Sequence, residues 1–207
     1  MHTQPLFAIE ERAELLRLMR AYPLATLFTV SDGTAQANLL PLEVCDIGPF
    51  GTLRGHVARS HSLWGSMPDG GGATVVFQGP NAYISPRWYV NGQRSGRVAP
   101  SWNYVAVQAQ GTLRFIDDPA WVVSHLAALT ASQEEGRDPA WSLGDAAPEF
   151  VDGAAQRLGG FEIEIRTLAG KRFLSQQRTE ADRRSLIEHL GREASPSARA
   201  LAALIRP

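Results

Sequence analysis

Apolar and polar positions alternate through much of the first half of the chain, and both ends carry helical periodicity instead. Residues 9–21 predict a helix whose apolar face holds Leu15, Leu16, Leu18 and Met19, ended by Pro23. Residues 25–30 predict a strand. Ser31-Asp32-Gly33-Thr34 then supplies a hairpin turn, because Asp-Gly readily adopts the backbone that a two-residue loop requires. The return strand covers 35–44, with Pro41 marking an edge or a bulge. Further strands are predicted at 52–57 and 73–78, with one or two helical turns at 60–66 between them. Residues 83–100, rich in Pro, Gly and Arg, predict an ordered loop. The clearest strand is 104–116. Val105, Val107, Ala109, Leu113 and Phe115 share one face, and Gln108, Gln110, Thr112 and Arg114 share the other.

Helical signals return at Asp117-Asp118-Pro119, an N-cap followed by proline in the first turn, and this helix reaches about residue 133. A second helix is expected within 145–158. Residues 161–165 alternate apolar and acidic positions and read as a strand, joined by a turn at Ala169-Gly170 to a short partner at 171–174. Thr179, with Asp182 as its capping-box acid, starts another helix, and Ser195-Pro196 starts the last. The fold class is therefore mainly β with added helices: an antiparallel barrel with N-terminal and C-terminal helices. One domain is expected over 1–207. Its barrel core covers about 24–116 and 160–175, and the helical additions are 9–21, 118–158 and 179–206.

Charge sharpens this picture. The whole chain has 20 basic and 21 acidic residues, yet Asp69 is the single acid between Ile47 and Ile116. That segment carries Arg54, Arg59, Arg87, Arg94, Arg97 and Arg114, interleaved with Trp64, Tyr83, Trp88, Tyr89, Trp102 and Tyr104. Cations beside flat aromatic surfaces suit an anionic planar ligand, although a strand-rich core with a solvated rim leaves the same trace. The net charge of −1 argues against strong unassisted nucleic-acid binding. Cys45 is the single cysteine, so neither an intramolecular disulfide nor a cysteine metal cluster is available. No apolar run approaches the roughly 20 residues that a membrane helix needs, and the acidic start does not resemble a signal peptide. The cytoplasm is the default location.

Several residues could carry chemistry. Arg59 and Ser60 follow a strand, where a guanidinium, a hydroxyl and free N–H groups can hold a phosphate. The alternative is a surface arginine and a capping serine. His56 and His61 lack metal-binding spacing and a third ligand, so His56 reads as a core or cofactor-contacting residue. Neither histidine has a Ser–Asp or Cys partner nearby in sequence. Gln78 ends a buried-looking strand and could satisfy a heteroaromatic edge or cap the next turn. Trp102 and Tyr104 are either core or cofactor wall. Lys171, Arg172, Ser175, Gln176 and Arg178 form a second polar cluster, which also fits a solvated turn.

Four segments together carry a resemblance. The stretch from Gly55 through Arg59 to Trp64 resembles the GHVARxNxxW motif of PaiB-type FMN-binding negative transcriptional regulators. The stretch from Phe77 through Ser85 and Trp88 to Tyr89 is similar to that family's FQGPHAYISPxWY segment. Pro100-Ser101-Trp102-Asn103-Tyr104 matches its PxWNY, and Leu174-Ser175-Gln176-Gln177-Arg178 resembles its LSQNR element.

The resemblance implies an FMN-binding split β-barrel of the pyridoxamine-phosphate-oxidase-like type. It implies a homodimer with FMN at the subunit interface. The implied cofactor-binding set is His56, Arg59, Ser60, Gln78, Ser85, Trp88, Trp102, Asn103, Lys171, Ser175, Gln176 and Arg178. Three positions depart from the family pattern, which has histidine at the places of Leu39 and Asn81 and asparagine at that of His61. A flavin reductase or oxidase using the same site is the enzymatic alternative, and a haem-binding barrel a third. DNA contact would run through the C-terminal helices, where residues 166–199 hold eight Lys/Arg against four Asp/Glu.

Overall fold

The computed structural model describes residues 1–65 and 69–207, with backbone alone for residues 94 and 95. The predicted turns at 60–66 extend by one residue beyond the described part. Residues 60–65 form consecutive turns and not a helix.

Among the described residues, eight strands form one sheet: β1 (Ala8–Ile9), β2 (Leu24–Ser31), β3 (Thr34–Pro41), β4 (Glu43–Cys45), β5 (Thr52–Ala58), β6 (Gly71–Ile84), β7 (Ser101–Ile116) and β8 (Leu158–Phe173). Their order is β3-β2-β6-β7-β8-β5-β4, with β1 added on β8. Among the described residues this path does not close on itself. The helices are α1 (Arg12–Ala21), α2 (Val90–Ser95), α3 (Pro119–Glu134), α4 (Pro148–Gln156), α5 (Glu180–Arg192) and α6 (Pro196–Ala202). The mainly antiparallel β class with helical additions is thus the observed one.

The chain divides into two compact units. The first comprises 1–18, 78–108 and 169–207; the second comprises 19–77 and 109–168. In the second unit, the Asp32-Gly33 turn has positive φ at both residues, as a tight hairpin demands, and joins β2 to β3 from Ser31↔Thr34 through Leu24↔Pro41. Strand β5 pairs with β8 from Thr52↔Glu164 to Ala58↔Leu158. Leu27, Leu53, Val75, Leu113, Phe161 and Ile163 fill this unit's core. Gly111 is needed there, because a Cβ would lie 2.1 Å from the Glu164 carbonyl oxygen. The first unit packs around Leu15, Leu16, Tyr89, Val105, Leu186 and Leu201.

Differences from the sequence reading have local causes. The first helix begins at Arg12 because Ala8 and Ile9 pair with Lys171 and Gly170. Those pairs also remove the expected turn at 169–170, so β8 runs unbroken from Leu158 to Phe173. Gly170 serves close approach instead: a Cβ there would meet Leu15 at 2.2 Å. Strand β6 continues through Pro80 to Ile84. Within 83–100 the chain forms a short 3-10 turn at Pro86–Trp88 and then α2. Before α4, Leu143–Asp145 is a separate 3-10 turn. The N-caps follow expectation: Asp118 accepts from Ala120 N–H, Thr179 from Asp182 N–H, and Ser195 from Ala198 N–H.

Candidate functional site

In the second unit, β5 delivers His56 and then Arg59 and Ser60 just beyond its end. An open cavity of about 570 Å³ is lined by Ala58, Arg59, Ser60, Ala154, Gln156, Arg157 and Leu158. Arg59 Nε donates to the Gln156 carbonyl at 2.9 Å, its Nη2 donates to the Asp117 carboxylate, and its guanidinium lies 5.3 Å from the Trp64 ring centre. The hydrogen bond from Arg59 holds the Asp117 carboxyl below the ordinary carboxylate range. Two guanidiniums and a hydroxyl around one cavity form a donor set suited to a phosphate monoester, with Asp117 as a competitor for Arg59.

His56 is part of a chain that the sequence did not reveal. Its Nδ1 lies 3.2 Å from His125 Nε2, and His125 Nδ1 lies 2.9 Å from Glu43 Oε2. His125 is buried on α3 and stacks on Trp121, one helical turn away, at 5.3 Å between ring centres. Arg54 lies over Trp121 at 5.7 Å and donates to Glu162 at 2.8 Å. Burial lowers the pKa of His56 to about 4, with the neighbouring His125 adding to the effect. Burial also lowers that of His125, against the opposing pull of Glu43. The nearby Cys45 thiol is raised to about 11, chiefly by burial and then by Glu43.

The remaining candidates belong to the first unit. Ser85, Trp88 and Trp102 line a cleft of about 530 Å³ together with Asn81, Tyr83 and Glu193. Trp88 stacks on His189, and Trp102 donates to Asn81 Oδ1 at 3.1 Å. Ser85 accepts from Arg87 N–H. Asn103 and Ser175 are buried and bonded side chain to side chain at 3.0 Å, with Ser175 at φ +62°. Gln176 bridges its own loop, accepting from Leu174 N–H at 2.7 Å and donating to the Arg172 carbonyl at 2.5 Å. Lys171 lies over Tyr104 at 5.4 Å. Arg178 lies over Tyr89 at 4.4 Å, and its buried Nε has no hydrogen-bond partner among the described residues. Gln78 is exposed on a continuing strand, not buried at a strand end.

Residues 1–167 match the family model described as "Putative FMN-binding domain". The chain belongs to this family. The family makes FMN its cofactor, the open antiparallel sheet is that of a split barrel, and the PaiB-type resemblance extends over nearly the whole chain. A relative in Bacillus subtilis (strain 168), "Protease synthase and sporulation protein PAI 2", is 27% identical over 99% of this chain and 96% of its own length. Among solved structures, a FAD and heme binding protein from Mycobacterium smegmatis superimposes with a TM-score of 0.61 at 19% identity, covering 84% of this chain and 77% of that one. The flavocytochrome Anf3 from Azotobacter vinelandii gives 0.58 at 11% identity, over 83% of this chain and 72% of that one.

Sequence reasoning missed Asp117, Glu43 and His125. Asp117 was absorbed into the helix cap, which Asp118 alone provides. Trp121 and His125 carried a usable signal: two ring side chains at i and i+4 stack on one helix face. Glu43 carried none. Among the described residues no three His, Cys, Asp or Glu side chains gather as a metal site. Among them too, no helix is long and apolar enough to cross a membrane.

Proposed function

We propose that the protein is a cytoplasmic FMN-binding homodimer that acts as a regulator of the PaiB type. In this reading Arg59 and Ser60 hold the flavin phosphate, with Arg157 adding charge. A second copy supplies polar and aromatic groups to the ring from the set Gln78, Ser85, Trp88, Trp102, Lys171, Gln176 and Arg178. FMN itself supplies reversible two-electron or one-electron redox chemistry when bound. The observation that carries the reading is the cavity beside Arg59, whose donors match a phosphate.

The outer face of the β2–β3 hairpin supports pairing of two copies. Leu24 (56%), Phe28 (41%), Val30 (60%) and Leu39 (64%) are all substantially exposed on neighbouring positions of that face. A contiguous apolar patch of this kind suits a protein interface.

The second reading is a flavin reductase or oxidase, and the C-terminal helices favour it. Arg184 pairs with Glu180 and Arg192 with Glu188. Arg183 and Arg199 donate to nearby backbone carbonyls. Ala198, Leu201 and Ala202 of the short α6 are buried, so this helix is packed and not presented to a groove. Direct DNA binding is therefore expected to be weak and salt-sensitive.

The deciding experiment is an absorbance and fluorescence titration with FMN, followed by NAD(P)H oxidation and binding to the protein's own upstream DNA across a salt series. Saturable FMN binding with sequence-selective DNA binding supports the regulator. Saturable binding with turnover and no DNA binding supports the enzyme. Failure to bind FMN sinks both readings, and a haem spectrum would replace them.

A further inference from the structure

The Glu43–His125–His56 chain has a defined direction. An ionised carboxylate only accepts, so His125 must carry its proton on Nδ1 to bond Glu43 at 2.9 Å. The neutral His125 ring then has a bare Nε2, which accepts from His56 Nδ1–H at 3.2 Å. His56 is thereby left with an unprotonated Nε2, the one ring nitrogen of the chain not bonded within it. The two rings meet edge to face at 5.3 Å, while the Trp121 indole covers the buried His125. His56 shares its strand face with Arg54 and Ala58 by the alternation of β5, and Ala58 lines the cavity beside Arg59.

We propose that Glu43, His125 and His56 form a proton relay whose outer end, His56 Nε2, accepts a proton from an N–H or O–H acid bound on the β5 face of Arg54, His56 and Ala58, next to the cavity that Ala58 lines. In the step, the ligand's N–H or O–H bond breaks and leaves its electron pair on the ligand. An Nε2–H bond forms on His56. The His56 Nδ1–H bond breaks and an Nε2–H bond forms on His125, so the positive charge comes to rest on His125 against the Glu43 carboxylate. His56 is the residue that meets the ligand; His125 and Glu43 are positioning residues. The logic is that of a base oriented by a buried carboxylate, extended by one imidazole.

The charged and titratable neighbours are consistent with this direction. Glu43 and Cys45 face the chain from β4, Arg54 from β5 and Glu162 from β8, and α3 contributes Trp121 beside His125 itself. Arg54 is already paired with Glu162, which leaves Glu43 to His125 and the Cys45 thiol. Depressed histidine pKa values keep the resting chain neutral.

The inference does not rest on the flavin reading, and its test uses the full chain without added flavin. Imidazole ¹⁵N–¹H correlation spectra assign each tautomer. At pH 7, His125 and His56 are expected to carry their protons on Nδ1, with His56 Nε2 bare. On acidification, Nε2 protons should appear on both rings at one shared midpoint. In His125→Phe, which fills the same space, His56 should lose the fixed Nδ1–H form. Glu43→Leu should disturb the tautomers of both rings. If His56 carries its proton on Nε2 in the unaltered protein at pH 7, or the two rings titrate in separate steps, the relay is overturned. The unaltered protein alone supplies both decisive readouts, so a variant that fails to fold does not remove the test.

Discussion

Arg59, just beyond the end of β5, is bonded to Asp117, which lies 58 residues further along and just ahead of α3. A second bond, from Nε to the Gln156 carbonyl, fixes the guanidinium plane. The arginine proposed to meet the flavin phosphate is therefore already oriented and already has an anionic partner.

The two residues should act in opposite directions. Arg59→Ala is expected to weaken FMN binding by about tenfold or more, since a charge-assisted bidentate partner is lost. Arg59→Lys should recover only part, because a single ammonium cannot reproduce the planar fork. Asp117→Asn removes the competing charge and should tighten binding. Isothermal titration with FMN measures all three, and an Asp117→Asn protein that binds no better than the original would show that the pair does not compete.

The hairpin face gives a test of assembly. The protein is expected to scatter light as twice its 22.5 kDa chain. Leu39→Glu, which places a carboxylate on the exposed apolar face opposite Thr26, should shift the population towards single chains. An undisturbed dimer in that variant would place the interface elsewhere.

Acid should destabilise the protein through the buried imidazole of His125 and the half-buried one of His56. The pKa of folded His56 is lowered from 6.5 to about 4, and that of His125 is lowered too. Below pH 6.5 the unfolded chain takes up protons that the folded chain refuses. The stabilisation is thus complete above about pH 6.5 and is lost as the pH falls towards about 4. Melting temperature measured across that window should drop with acidification, and the slope should flatten in His125→Phe.

Gly111→Ala should be costly although the residue is small. The added methyl would lie 2.1 Å from the Glu164 carbonyl oxygen and press on Ile163. Overpacking of this kind destabilises by about 1–3 kcal/mol. Urea denaturation provides the number, and a neutral result would mean that β7 and β8 can part without penalty.

Periodic patterns made much of both units legible. The Asp32-Gly33 hairpin, the alternation through Val105, Val107 and Ala109, and the caps at Asp118 and Thr179 all rest on local chemistry. What escaped depended on distant partners. Ala8 and Ile9 form a strand only because Lys171 and Gly170 lie beside them. The same applies to the site: Arg59 and Ser60 stood out as a local motif, whereas Glu43 and His125 acquire meaning only through an 82-residue separation that no spacing rule encodes. Asn103 and Ser175 stood out as motif residues too, yet they spend their polar groups on each other.

Gly159 and Gly160 sit side by side on β8, and each leaves room for a different indole. A Cβ at Gly159 would strike Trp64 at 2.2 Å, and one at Gly160 would strike Trp121 at 2.3 Å. Trp64 carries Arg59 over its ring and Trp121 stacks on His125. One dipeptide therefore seats two natural fluorophores, one beside the anion-holding arginine and one beside the imidazole chain. In a chain whose other three tryptophans, Trp88, Trp102 and Trp141, are phenylalanine, light emitted by Trp64 and by Trp121 can report on the two chemistries separately, with each indole replaced in turn to isolate the other.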